Sequence, residues 1–301
     1  MDPLVIAFGL GVGILIGMTG IGGGSLMTPL LVIFAGVQPI VAIGTDLAYG
    51  AVTKSVGGWR HFRKGTVDIG VSLWLAVGSV PGALLGVWLI DRLRQSLGKD
   101  LDSTLLYAIA GALLVVSLAL FFRALFLPKL IDRERHTVEL TGKIKATSVG
   151  IGLILGFILG LTSVGSGALI GLALILVFHL TPHRVVGTDV FHAAVLLWVA
   201  GLAHWASGNV DFVLMGNILL GSVPGVLLGT ALITQVSANA LRPALACVLL
   251  GSALGVLSKA GVDVPGYAIV GAPLLMGLIA WGITRRRPAA PLAEPLPKAA
   301  G

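Results

Sequence analysis

Long apolar runs alternate with short polar ones along this chain. Stretches with almost no charge recur at 3–35, 40–58, 69–90, 104–127, 148–180, 185–206, 212–233, 241–258 and 265–283. Each can cross a hydrocarbon core of about 30 Å, which takes roughly 20 helical residues. None alternates apolar and polar residues as a barrel strand would. The pattern predicts an all-α integral membrane protein with about eight transmembrane segments. The first run is too long for one untilted helix, and "GMTGIGGGS" (17–25) interrupts its middle. Glycine inside a helix costs about 1 kcal/mol relative to alanine, so a break or re-entrant turn is expected there.

The interruption occurs twice. Shifted by 143 positions, "GMTGIGGGSL" (17–26) falls on "GLTSVGSGAL" (160–169), "GTD" (44–46) on "GTD" (187–189), and "GSVPGALLG" (78–86) on "GSVPGVLLG" (221–229). His61 falls on His204 and "GTVD" (65–68) on "GNVD" (208–211). Unrelated apolar helices would share scattered Leu and Val, not Asp, His and Pro in register. Two homologous repeats are therefore expected, each with a Gly-broken first segment: residues 1–127 and 147–284. A polar connector (128–146) joins them, and a disordered Pro- and Ala-rich tail (285–301) follows. Orientation stays open at this level, because an even number of spans per repeat would leave the halves parallel and an odd number would invert them.

Composition agrees with a membrane protein: 56% hydrophobic, 11% charged, mean hydropathy +1.01, against roughly 25% charged residues in a soluble domain. The N-terminal run follows an acid and no base, so it reads as a retained segment and not a cleaved signal. The net charge of +7 gathers in loops and ends, among them Arg60, Arg63, Lys64, Arg92, Arg94 and Arg285 to Arg287. Bases flanking apolar spans mark cytoplasmic loops, not a nucleic-acid interface, and the Arg285 cluster favours a cytoplasmic C-terminus. Cys247 is the single cysteine, which excludes an internal disulfide and a cysteine-based metal cluster. The chain has no G-x-x-x-x-G-K-[ST] phosphate loop, hence no built-in ATPase of that kind. No metal or cofactor is expected.

Candidate chemistry gathers at the paired glycine segments. Isolated small residues such as Gly9, Gly13, Gly150, Gly152 and Gly156 suit close helix packing. Consecutive glycines line every side of a helix and fit packing poorly. A broken helix at membrane depth must line a cavity, and the N-terminus of the following half-helix offers N–H groups and a positive dipole end to an anion. The candidate anion ligands are Thr19, Gly20, Gly22, Gly23 and Gly24 in the first copy. In the second they are Thr162, Ser163, Gly165, Ser166 and Gly167. Lys54 lies deep in "DLAYGAVTKSVGG", where its counterpart is Leu197. A charge near a helix centre costs about 2.5–3.5 kcal/mol, so Lys54 should face protein or water, or else snorkel to the interface. Asp46 and Asp189 either cap their helices or, with His192, carry a coupling proton. Asp68 and Asp211 are expected caps, and Trp59 and Trp205 interfacial anchors.

With these motifs in hand, the chain resembles the TauE/SafE sulfite exporter family, also called the toluene-sulfonate uptake permease family. The resemblance rests on the duplicated Gly-rich segment, on "AIGTDLAYGAVTK" with "VVGTDVFHAAV", on "HFRKGTVD" with "HWASGNVD", and on both "GSVPG" segments, over most of residues 5–258. It implies a multi-pass permease of the bacterial inner (plasma) membrane that moves sulfite or a small organosulfur anion and is not an enzyme. A competing class is an intramembrane serine hydrolase, with Ser166 and His192 or His204 as its dyad and Ser25 or Ser163 as other nucleophiles.

Overall fold

The computed structural model describes residues 2–19, 23–126, 137–232 and 238–285. Every regular element of any length among them is a helix. The order is α1 (Pro3–Thr19), α2 (Gly24–Ile33), α3 (Pro39–Arg63), α4 (Ile69–Leu97), α5 (Leu101–Phe126), α6 (Gly142–Thr162), α7 (Leu169–Leu176), α8 (Pro182–Ala206), α9 (Phe212–Leu232), α10 (Ala238–Lys259) and α11 (Gly266–Arg285). Six of them are long and apolar enough to cross a membrane: α4, α5, α6, α8, α9 and α11. The molecule is an all-helical, multi-pass membrane protein. The first apolar run is divided into two short helices, α1 and α2. The 25-residue α3 stands outside the six, diluted by Asp46 and Lys54 and by the bases of its last turn.

Several local expectations hold. Asp68 caps α4, accepting from Val71 N at 3.0 Å, and Asp211 accepts from Leu214 N at 2.9 Å at the start of α9. Pro81 and Pro224 of the "SVPG" segments lie inside α4 and α9. Trp59 and Trp205 are exposed near the ends of α3 and α8. The run 128–146 read as a connector is shorter, because α6 starts at Gly142, with the Thr141 hydroxyl accepting from Ile144 N. Residues 127–136 and 286–301, which take in most of that connector and the tail, lie outside the described residues.

Backbone contact between small residues holds the helices together. Methyls built on Gly9, Gly13 and Gly17 of α1 would each fall 2.5 Å from a carbonyl oxygen of α9: Ile218, Ser222 and Val226. In the same way Gly152, Gly156 and Gly160 of α6 abut the carbonyls of Leu75, Ser79 and Ala83 of α4. Each residue of the second set lies 143 positions from one of the first. Lipid tails are as apolar as leucine, so close packing, not hydrophobic burial, must drive such pairing. Ascending numbers meet ascending numbers in both pairs, which therefore run parallel.

Helices α3 and α8 form the centre and run antiparallel: Gly50 faces Leu197, whereas Gly57 faces Val190. Trp198 Nε1 donates to Ser55 Oγ at 2.8 Å across this contact. The helix starts are tied crosswise: Asp68 N donates to Thr188 Oγ1 at 2.8 Å, and Asp211 N to Thr45 Oγ1 at 3.0 Å. Helices α5 and α10 pack outside this centre, joined by Ser117 Oγ donating to Ala246 O at 2.8 Å. Helix α11 lies at the edge with Tyr267, Leu274 and Leu278 exposed.

Replacing Gly13 or Gly156 by alanine forces a methyl against the backbone of Ser222 or Ser79. Each change is expected to destabilise the detergent-solubilised protein by about 1–3 kcal/mol. Gly11→Ala and Gly150→Ala, where nothing lies within 4 Å, are expected to leave the thermal midpoint unchanged or raise it.

Candidate functional site

Both glycine segments leave the helix in the middle of the molecule. Helix α6 ends at Thr162, Ser163 takes a left-handed conformation (φ 59°), and Gly165 and Gly167 follow at φ 116° and 101° before α7 begins. A side chain would strain those last two positions, which accounts for the glycines. In the first segment α1 ends at Thr19, Gly23 precedes α2 and Gly24 opens it. Gly20 and Gly22 lie outside the described residues. No side chain of the preceding residue caps α2 or α7.

What meets the start of α2 is the protein's own acid. Asp46 stands two turns inside α3 and is 1% exposed, so it does not cap its own helix. Its Oδ2 accepts from Thr28 Oγ1 of α2 at 2.6 Å and from Ser163 Oγ of the other segment at 2.9 Å. A methyl on Gly24 would lie 3.4 Å from that oxygen, so the carboxylate faces the first turn of α2. Asp189 takes the matching place two turns inside α8 and is 4% exposed. A carboxylate suits the positive end of a helix. The start of α2 therefore already faces an acid belonging to the chain.

Lys54 is buried in the same interior as the two acids. It is only 8% exposed and donates to Ser166 Oγ at 3.3 Å, so it joins α3 to the second glycine segment and does not snorkel. Asp46, Asp189 and Lys54 are all buried in this interior, and Arg123 of α5 adds positive charge near Asp189. One oxygen of each carboxylate, Oδ1, is buried without a hydrogen-bond partner. Burying a polar atom unpaired costs about 1–3 kcal/mol, and such exceptions in a charged centre mark a place where protons, ions or ligand belong.

Other candidates stand apart from this cluster. The Thr162 hydroxyl turns back onto its own helix, donating to Ile158 O at 2.6 Å and accepting from Val164 N. Gly23 packs against Val12 and Ile16. His192 pairs through Nε2 with Ser79 Oγ of α4 at 3.2 Å. The hydrolase dyad does not form: Ser166 pairs with Lys54, and His204 with Gly160 O at 2.9 Å. Two contributors, Thr28 and Arg123, escaped the sequence reading because neither belongs to a motif.

The family model described as "Sulfite exporter TauE/SafE" matches residues 5–256. The chain belongs to that family. Among curated relatives, the Bacillus subtilis protein named "Probable membrane transporter protein YjnA" is 37% identical over 254 residues, covering 84% of this chain and 99% of that one. A second B. subtilis protein of the same description, YdhB, is 28% identical over 79% of this chain and 95% of its own length. The Methanocaldococcus jannaschii protein MJ0441, again named a probable membrane transporter, is 24% identical over 85% and 93%. No solved structure matches the chain. This TauE/SafE member is thus a membrane transporter by family, and the names of its relatives point to transport and not catalysis.

Thr28 and Ser163 donate to the same carboxylate oxygen, so their contributions are coupled. Thr28→Val and Ser163→Ala are each expected to cost about 1–3 kcal/mol. The double variant should depart from additivity by at least about 0.5 kcal/mol. The departure should vanish in an Asp46→Asn background, as read by denaturant unfolding.

Proposed function

We propose that this chain is a secondary transporter of sulfite or a small organosulfur anion, working by alternating access between two inverted repeats, residues 1–127 and 147–284. The observation that carries the reading is Lys54: a buried ammonium bonded to Ser166 of a broken segment, in an interior that also holds the buried Asp46 and Asp189. Intramembrane ionisable residues that face protein mark ion and substrate pathways. Gly-interrupted segments in corresponding positions point to the substrate site.

The anion is held at the paired glycine segments, with Lys54 and Ser166 as its principal donors and Ser163, Gly165, Gly167 and Gly24 around it. The start of α2 serves Asp46 in the absence of substrate. An anion arriving beside two carboxylates is repelled unless one of them is neutralised. Loading therefore couples the anion to a cation taken up at Asp46 or Asp189. His192, whose counterpart is Tyr49, is the remaining coupling candidate. The second segment carries hydroxyls at Ser163 and Ser166 where the first has Gly20 and Gly23, so the halves contribute unequally.

The antiparallel packing of α3 and α8, which bear the two "GTD" copies, supports inverted repeats. Adding α3 and α10 to the six apolar spans gives eight; by the 143-residue shift α1 corresponds to α6 and α2 to α7. Arg184 Nη1 donates to Val67 O at 3.3 Å and Lys145 lies 5.1 Å from the Trp74 ring. The loop after α3 and the starts of α6 and α8 therefore share one end of the molecule. That end also carries Arg60, Arg63 and Lys64, which supports placing it, and the end of α11, in the cytoplasm of a bacterial cell.

Sulfite flux into proteoliposomes tests the reading. Lys54→Ala should lower it by about ten- to a hundredfold, the worth of one charged contact; flux unchanged in that variant removes Lys54 from the pathway. Single cysteines placed at Asp2 and in the tail of a Cys247→Ser background should be labelled from opposite sides of the membrane.

A further inference from the structure

Inverted repeats place corresponding contacts at opposite ends of a molecule, so a bond made in one copy and missing from the other reports on its conformation. Two histidines differ in this way. His204, near the end of α8, is 0% exposed, and its Nε2 meets Gly160 O of α6 at 2.9 Å. A carbonyl only accepts, so Nε2 carries the hydrogen and Nδ1 is left to accept. Asn209 Nδ2 meets that Nδ1 at 3.4 Å, and Asn209 Oδ1 accepts from Arg94 Nη1 of α4 at 3.3 Å. Beside it Ser207 Oγ donates to Asp91 Oδ2 at 2.7 Å. One relay therefore runs from the end of α4, through the loop after α8, to the last turn of α6 just ahead of Ser163 and Ser166.

The counterpart relay is not made. His61, Thr66 and Gly17 stand 143 positions before His204, Asn209 and Gly160. His61 is half-buried and pairs through Nδ1 with Thr66 Oγ1 at 3.0 Å, while Thr66 gives its own hydrogen to His61 O. Among the described residues no bond joins His61 to Gly17. The difference recurs deeper in the protein and in the same sense. His192 of α8 bonds Ser79 of α4, whereas Tyr49 of α3 and Ser222 of α9, at the corresponding places, carry buried hydroxyls without a partner. Helix α8 is fastened to the α4–α6 pair by bonds that α3 does not make to the α1–α9 pair. By sequence, Thr234 and Ser237 stand at the places of Asp91 and Arg94, so the charged part of the relay belongs to one end only.

We propose that His204 and His61 are alternating latches: the protein is closed here at the end that bears the α8–α9 loop, and transport exchanges the His204–Gly160 bond for a His61–Gly17 bond. In the exchanged state His61 Nε2 donates to Gly17 O. Its Nδ1 then accepts from the Thr66 hydroxyl, which lets go of His61 O. Tyr49 and Ser222 pair as His192 and Ser79 do now. Each bond lost at one end is matched by one gained at the other, and the additional Arg94 and Asp91 contacts bias the resting protein toward the present state. Both histidines are positioning residues and touch no substrate. Their use rests on the transporter reading above; the exchange itself does not.

The test reads which side of the membrane reaches the centre. Ser166→Cys in a Cys247→Ser background is labelled in proteoliposomes by a membrane-impermeant thiol reagent applied to one face or the other. With no further change, labelling should be faster from the face opposite the α8–α9 loop. His204→Leu should shift the ratio of the two rates toward the α8–α9 face by about three- to tenfold, the worth of one hydrogen bond. Arg94→Ala, at an exposed side chain, should shift it the same way, and His204→Gln, which can still offer an N–H to Gly160 O, should restore it. His61→Leu should shift it in the opposite direction. An unchanged ratio in His204→Leu and Arg94→Ala, or a shift of the same sign in both His→Leu variants, overturns the exchange. Sulfite flux separates the two readings. Opposed shifts in a protein that moves no sulfur anion uphold the latches and sink the transporter reading, whereas flux with unshifted labelling sinks the latches alone.

Discussion

Charge kept away from water in the middle of a membrane is the constraint on which this molecule is organised. Lys54, Asp46 and Asp189 are each too costly to hold alone in hydrocarbon. Lys54 and Asp46 are held because a second part of the chain comes to meet them: Ser166 to Lys54, Thr28 and Ser163 to Asp46. Those partners can arrive only if helices stop halfway through the protein. The glycine segments are the means of stopping them. Elsewhere glycine serves the opposite end, letting unbroken helices lie backbone to backbone, as Gly13 does against Ser222 and Gly156 against Ser79.

The same constraint explains why a helix start faces an acid. A broken helix exposes N–H groups at a depth where no water reaches them. Asp46 and Asp189 stand two turns inside the long helix that follows each broken segment, and Asp46 takes its partners from α2 and from the other segment. A substrate anion then enters a site where negative charge is already present, which ties its binding to whatever neutralises a carboxylate.

Much of this was legible in the sequence. The apolar runs give the helical membrane class, the doubled "GTD" and "GSVPG" give the paired segments, and the depth of Lys54 in its run marks it as buried. The choice between a capping and an interior role for Asp46 was not legible, because it depends on α3 starting back at Pro39. Thr28 was invisible, since a threonine in an apolar helix resembles any other and its counterpart is Gly171. The orientation of α3 against α8 also lay beyond reach, because a count of spans depends on whether α1 and α2 are one segment or two. Only side-by-side packing decides it.

The pairing of α1 with α9, and of α4 with α6, has a consequence for how the protein is made. The glycine stripe of Gly9, Gly13 and Gly17 finds its groove only on a helix at residues 212–232, near the far end of the chain. Helix α1 therefore leaves the ribosome long before its neighbour exists, and it must wait in the bilayer while the helices between them are synthesised. In both pairings the stripe on one helix stays uncovered until a helix made later in the chain arrives to meet it.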